Sequence, residues 1–333
     1  MALQTKFSCE NPTASKIEKA ETQNFLSRQI IAISGKEKFM NTYFHRVARQ
    51  TPTRFWINNV TREQARLALD AGAVGCTQNP AYTWKMLQGS DKAHAIEVLD
   101  EILRQEPEDS VALIRLQRAL VEEIALAFLP LYRESGGKHG YVSIQGDPFH
   151  EDCESIVRWG RFNAENLPNI MLKVPATEEG LKAIDILLRE GYAINATEVM
   201  ALRQAADVCD VYTRATAGME RPPVAYFSHI AGIFDEHMTA AARDMDIPKD
   251  YVWQAGIAAA KKIYQYTKTH APAVGMISGG ARGLHHFTEM VGADAVVTIN
   301  WAGTADKLLE QDPPVVQRFL APVPLEVTDT LCR

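Results

Sequence analysis

Cysteine is scarce in this sequence and poorly placed for pairing. Its 333 residues include five, Cys9, Cys76, Cys153, Cys209 and Cys332, with no close pair and no CxxC. An odd, scattered set argues against a disulfide scaffold or a thiolate metal site, and for a reducing compartment. Long apolar runs are missing too. No stretch approaches the ~18 apolar residues of a membrane span, so no membrane partner is expected. The first residues, MALQTKFSCENPTASK, have no apolar leader core, so a cytoplasmic protein is expected. Positive charge is not in excess: 35 Lys and Arg stand against 41 Asp and Glu, a net charge of −6. A nucleic-acid partner is not expected, although a local basic pocket remains compatible with this balance. There is no GxGxxG after the first predicted strand, which weakens a dinucleotide-binding reading.

What is present is a repeated alternation. Short apolar runs at 54–59, 73–76, 141–145, 170–174, 192–195, 224–227, 274–277 and 295–298 are each followed by helical patterning. Predicted helices cover 61–71, 91–105, 109–134, 154–166, 177–191, 198–216, 235–245, 249–269, 284–291, 303–311 and 313–320, with an irregular end. Continuous apolar strands are those buried on both faces of a parallel sheet. Eight β/α units fit a (β/α)8 TIM barrel; a doubly wound open sheet is the alternative that periodicity does not separate. No linker or composition shift appears, so one domain is expected over 1–333. It divides into an N-terminal helical extension (1–52), the barrel (53–300) and C-terminal helices with a tail (301–333). The two terminal segments are free to cover the barrel or to form a homodimer.

In such a barrel the chemistry sits at the C-terminal strand ends. Those positions carry Asn58, Asn79, Gln145, Lys173, Asn195 with Thr197, the Tyr226–His229 stretch, Ser278 to Arg282, and Asn300. Lys173 stands out, a lysine inside the apolar run NIMLKVP. Burial lowers a lysine's pKa and frees the amine to attack a carbonyl. Equally, a lysine there can reach solvent or pair with a helix carboxylate; position alone leaves both open.

Three segments resemble signatures of the transaldolases. Pro168 to Leu181, PNIMLKVPATEEGL, resembles their Schiff-base lysine segment. Gly72 to Pro80, GAVGCTQNP, resembles their Thr-x-Asn-Pro, with Thr77 and Asn79 as its polar members. Ile194 to Thr197, INAT, resembles their Asn-x-Thr. They occur in the family's order and spacing, within a resemblance running from about Phe55 to Thr298. It implies a class I mechanism without metal or organic cofactor. Lys173 would form an iminium with a ketose, the C3–C4 bond would break, and a dihydroxyacetone unit would pass to an aldehyde. Partners would be small ketoses and aldoses or their phosphates, as in the pentose phosphate pathway. Asn79 and Asn195 would hold the bound hydroxyls and Thr197 a catalytic water. Asn before Pro or at a helix start is also an ordinary cap, and both roles can coexist.

The sequence departs from the family at two carboxylates. The first-strand Asp corresponds to Asn58 (or Asn59), and the third-strand Glu to Gln145. An amide orients water but does not shuttle a proton. Gln at the third strand resembles the fructose-6-phosphate aldolase branch, where a sixth-strand Tyr organises water. Tyr226 or His229 is the expected replacement acid/base, with Glu198 or Asp147 behind them; a packed histidine is the other reading of His229. Ser278 and Arg282 resemble the family's seventh-strand phosphate ligands, but the sixth strand's Arg is absent. His285-His286 shows no carboxylate or further His at metal-ligand spacing, so no metal is expected. The expected activity is thus a transaldolase-type transfer. The alternatives are an aldolase of the fructose-6-phosphate type or for a specialised sugar, and a catalytically impaired sugar-binding barrel.

Overall fold

The computed structural model describes residues 41–332. Most of the expected N-terminal helical region falls on residues 1–40 and lies outside them. Eight parallel strands close into a barrel in chain order. They are β1 (Arg54–Asn58), β2 (Gly75–Thr77), β3 (Tyr141–Gln145), β4 (Ile170–Pro175), β5 (Ile194–Val199), β6 (Ala225–His229), β7 (Gly275–Ser278) and β8 (Val296–Asn300). The barrel closes through β1 on β8, paired from Arg54↔Val296 to Asn58↔Asn300. This is the (β/α)8 barrel, and the open sheet is excluded. No described helix is long and apolar enough to cross a membrane.

Residues alternate between two cores. Strand residues facing outward, such as Phe55, Ile57, Val142, Ile144, Leu172, Val174 and Phe227, pack under the helices in one large cluster. Inward residues Trp56, Tyr141, Met171, Ile277 and Val296 form a separate plug at the N-terminal end of the strands. Trp56 on β1 and Tyr226 on β6 are not on neighbouring strands, yet their ring centroids are 5.8 Å apart. Two glycines make room for them. A Cβ on Gly75 would lie 2.3 Å from the Trp56 indole, and one on Gly275 2.3 Å from the Tyr226 ring. With the lower barrel largely filled by aromatic rings, most of the polar inward residues lie at the upper end, Arg54 being an exception at the lower end.

Helix boundaries depart from the sequence pattern in instructive places. Helix Tyr82–Gln88 was not anticipated. The helix expected at 198–216 begins only at Leu202, because β5 continues to Val199. The helix expected at 235–245 runs from Ala231 to Ala241, and that at 249–269 is divided into Lys249–Val252 and Ala255–His270. Residues 312–318 are not helical. Pro313 and Pro314 bring no backbone N–H, and the residue before a proline avoids the helical region. A short helix forms instead at Leu325–Leu331, where irregular chain was expected.

Candidate active site

The strand ends surround a cavity of about 650 Å3. Its lining includes Asn58, Asn59, Thr77, Asn79, Gln145, Lys173, Thr197, Glu198, Arg282 and Asn300 among the residues named from the sequence, and also Lys85, Ser228 and Thr298. Register explains the convergence: Gln145 pairs with Lys173, Lys173 with Asn195, and Pro175 with Thr197. Parallel partners point to the same side, so one inward position on β4 brings its neighbours with it.

Lys173 is partly buried. Its Nζ donates to the Gln78 carbonyl at 3.3 Å. Burial pulls its pKa down to about 8, and the charge of Glu198 opposes the shift. At pH 8 about half of the Lys173 amines are therefore neutral. An ordinary lysine, with a pKa of about 10.4, would be on the order of 0.4% neutral there. Paired with Lys173 in register on β5, Asn195 is fully buried. Asn195 Oδ1 accepts from Ser228 Oγ at 2.7 Å, while its Nδ2 has no hydrogen-bond partner among the described residues. That leaves a fixed donor, since a buried amide N–H without a partner is costly unless something binds it.

Asn58 belongs to a tight amide–hydroxyl network. Its Oδ1 accepts from Thr77 Oγ1 at 2.8 Å, and its Nδ2 donates to Asn300 Oδ1 at 3.0 Å. Thr77 Oγ1 is also 2.7 Å from Thr298 Oγ1. The Asn58 amide thus accepts on one side and donates on the other. Asn59 takes a left-handed φ of 47°, a region Asn tolerates. Its side chain accepts from the Asn79 N–H at 3.0 Å, and its carbonyl takes the Lys85 ammonium at 2.6 Å. Burial lowers the pKa of Lys85. Gln145 reaches from β3 to Glu151, Nε2 to Oε1 at 3.4 Å. Burial, and then the charge of Glu198, raise the Glu151 pKa.

Four sequence candidates do not line this cavity: Asn195, fully buried beside Lys173, and Tyr226, His229 and Ser278. Tyr226 faces inward but at the opposite end, lining a separate cavity of about 440 Å3 with Arg54, His139 and Asp294. His229 lies one position out of phase with the inward residues Tyr226 and Ser228. It is fully buried, with Nδ1 2.9 Å from the Val199 carbonyl and Nε2 3.1 Å from that of Gly256. Burial lowers its pKa, against those two carbonyls. It is packed between β5, β6 and helix Ala255–His270. Ser278 pairs in register with His229 and faces the same outward side. The inward residue of β6 at the level of the site is Ser228, which lies within the expected Tyr226–His229 stretch but was not singled out there. Lys85 was missed as well, because the helix carrying it was not predicted.

Arg282 lines the cavity, but its guanidinium is engaged by Glu236, Nε to Oε1 at 2.6 Å and Nη2 to Oε2 at 3.2 Å. Nη1 donates to the Gly280 carbonyl at 2.8 Å. Just beyond, the structure supplies the carboxylate that sequence spacing did not reveal. Asp235 Oδ2 lies 3.0 Å from His286 Nε2 and 3.6 Å from His285 Nε2. The three donors lie within 4.8 Å of one another. His286 Nδ1, however, accepts the Arg282 N–H at 3.3 Å. That places the ring proton on Nε2, toward Asp235, where a metal would need a bare lone pair. Neither His285 Nε2 nor His286 Nε2 has a hydrogen-bond partner among the described residues, so the three groups stand side by side next to the Arg282 loop.

Comparison with known proteins agrees with this architecture. The family model for transaldolase/fructose-6-phosphate aldolase matches residues 55–316. A transaldolase of Neisseria meningitidis is 28% identical over 225 residues, 64% of this chain and 62% of that protein. Transaldolase 1 of Streptomyces avermitilis is 30% identical over 187 residues, 54% of this chain and 48% of that protein. A Helicobacter pylori transaldolase is 32% identical over 148 residues, 44% and 43% of the two chains. The chain thus spans about 62% or less of the length of these relatives. With the family model covering the whole barrel, the chain belongs to the transaldolase/fructose-6-phosphate aldolase family.

Proposed function

We propose that this barrel makes or breaks the C–C bond of a ketose or ketose phosphate through a Schiff base on Lys173, transferring a dihydroxyacetone unit to an aldehyde. The observation that carries the reading is the amine itself. It stands in a cavity of sugar size with its pKa pulled down to about 8, among amides and hydroxyls suited to polyol recognition. The neutral amine attacks the ketone carbon, water leaves, and an iminium forms. Withdrawal of the C4 hydroxyl proton breaks the C3–C4 bond, and its electron pair enters the iminium to give an enamine. The enamine carbon then attacks an acceptor aldehyde, and hydrolysis returns the lysine. The amide of Asn195, with Asn79 and Thr77, would hold hydroxyls of the three-carbon unit. Thr197 and Gln145 would position water, and Arg282 would receive a phosphate once Glu236 yields it.

A second reading is release of the three-carbon unit to give free dihydroxyacetone. Gln145 on the third strand, where the fructose-6-phosphate aldolase branch of the family also has Gln, favours it. The test is turnover with a panel of ketoses, phosphorylated and free, with and without an aldehyde acceptor. Products that require the acceptor support transfer; dihydroxyacetone formed without it supports the aldolase reading. No C–C bond chemistry with any pair would overturn both and leave a sugar-binding barrel. Lys173→Met serves as the control and is expected to be inactive.

A further inference from the structure

At the mouth Asn58 and Gln145 present amides, not carboxylates, and the two aromatic candidates on β6 do not reach it. One carboxylate among the described residues does line the cavity with Lys173, that of Glu198. We propose that Glu198 is the acid/base that takes and returns the proton of the scissile hydroxyl, a role that rests on the Schiff-base reading above.

The backbone of β5 is distorted at this residue. From Ala196↔Phe227 to Val199↔His229, β5 advances three residues while β6 advances two. The extra residue is a bulge, the device that re-aims a strand side chain. Glu198 itself has φ of 63°, left-handed for a residue that is neither Gly nor Asn. Such a conformation costs on the order of 1 kcal/mol or more and persists only where its surroundings impose it. Here Gln204 imposes it. Its Oε1 accepts from the N–H groups of Met200 at 2.9 Å and Ala201 at 3.1 Å, while Nε2 donates to the Glu198 carbonyl at 3.1 Å and the Ala176 carbonyl at 3.3 Å. One amide therefore ties the kink to the following helix start and to the end of β4. In a regular strand the residue after inward Thr197 would point outward into the helical layer. The kink instead leaves Glu198 exposed in the mouth.

Its neighbours suit the task. The charge of Glu198 acts on Lys173 and on Glu151, which Gln145 contacts. Asp147, the other carboxylate considered, is occupied by the Phe149 N–H at 2.9 Å and by His150 Nδ1 at 2.7 Å. In the forward step the Glu198 carboxylate accepts the C4 hydroxyl proton. The C3–C4 pair flows into the Lys173 iminium, and the aldehyde departs neutral. In the return step the Glu198 carboxylic acid protonates the alkoxide formed when the enamine adds to the acceptor. The proton balances over the cycle.

The test compares wild type, Glu198→Gln and Glu198→Asp, each treated with a ketose substrate and borohydride, digested, and measured by mass on the Lys173 peptide. Turnover is followed in parallel. Wild type is expected to trap both intact ketose and the three-carbon unit. Glu198→Gln should form the iminium but not cleave it, so intact ketose predominates and turnover falls about 10²–10⁴-fold. Glu198→Asp should recover part of the turnover. If Glu198→Gln turns over like wild type, or traps the three-carbon unit equally, the proposal is overturned. If it only accelerates trapping at neutral pH, Glu198 acts on the Lys173 pKa alone, and the proposal again fails. A wild type that traps no ketose overturns the Schiff-base reading instead.

Discussion

Replacing Lys173 by Met should stabilise this protein at neutral pH, and the gain should fade as pH rises. Burial lowers the Lys173 pKa in the fold to about 8. In the unfolded chain it returns to about 10.4. Between these values the unfolded state holds the proton and the folded state has released it, so wild-type stability rises with pH. Below pH 8 both states are protonated and the full cost of burying the ammonium is present; above about 10.4 both are neutral and the cost is gone. A difference of about 2.4 units corresponds to about 3 kcal/mol at pH 7 and about 1 kcal/mol at pH 9.5. Met is close in volume and makes no charge demand, so packing should survive. Urea denaturation of wild type and Lys173→Met at matched pH values between 7 and 9.5 measures the gap. A gap that is absent, or constant across that range, would refute the claim that burial holds the amine near neutrality.

Other expected outcomes follow from single contacts. Tyr226→Phe should leave turnover within about twofold of wild type, since its ring lies at the far end of the barrel; a large loss in steady-state kinetics would place the hydroxyl in the reaction. Asn58→Leu should destabilise the protein by about 1–3 kcal/mol in urea melts, because it removes the partner of both the Thr77 hydroxyl and the Asn300 amide. Gly75→Ala should cost about 1–3 kcal/mol by forcing a methyl into the Trp56 indole, and Trp56→Phe in the same chain should recover part of the loss. Glu236→Gln frees Arg282, so KM for a phosphorylated ketose should fall about two- to fivefold while that for the unphosphorylated sugar stays put.

The barrel was legible because its strands are buried on both faces, and burial writes itself as apolar runs between turn residues. The eight units therefore stood out without any contact information. Phase was legible only where the strand is regular. On β4 and β5 the lysine and the Asn-x-Thr segment fell on the inward side as expected. On β6 two adjacent polar residues, Ser228 and His229, necessarily point to opposite sides, and periodicity does not say which belongs inside. The bulge that turns Glu198 into the mouth is likewise invisible in a pattern of apolar spacing. It depends on where the Gln204 amide finds its four backbone partners. Asp235 lies 50 residues before His285, so its meeting with the histidines is a property of the closed barrel.

The central claim concerns one bond, between Lys173 Nζ and a ketone carbon. Incubation with dihydroxyacetone or a ketose, reduction with borohydride and peptide mapping test it directly. The expected result is a stable secondary amine on the peptide containing Lys173. It should carry the mass of the sugar less water plus two hydrogens, and it should be absent from Lys173→Met. Adducts confined to Lys85 or to surface lysines, or no adduct with any ketose tried, would contradict it.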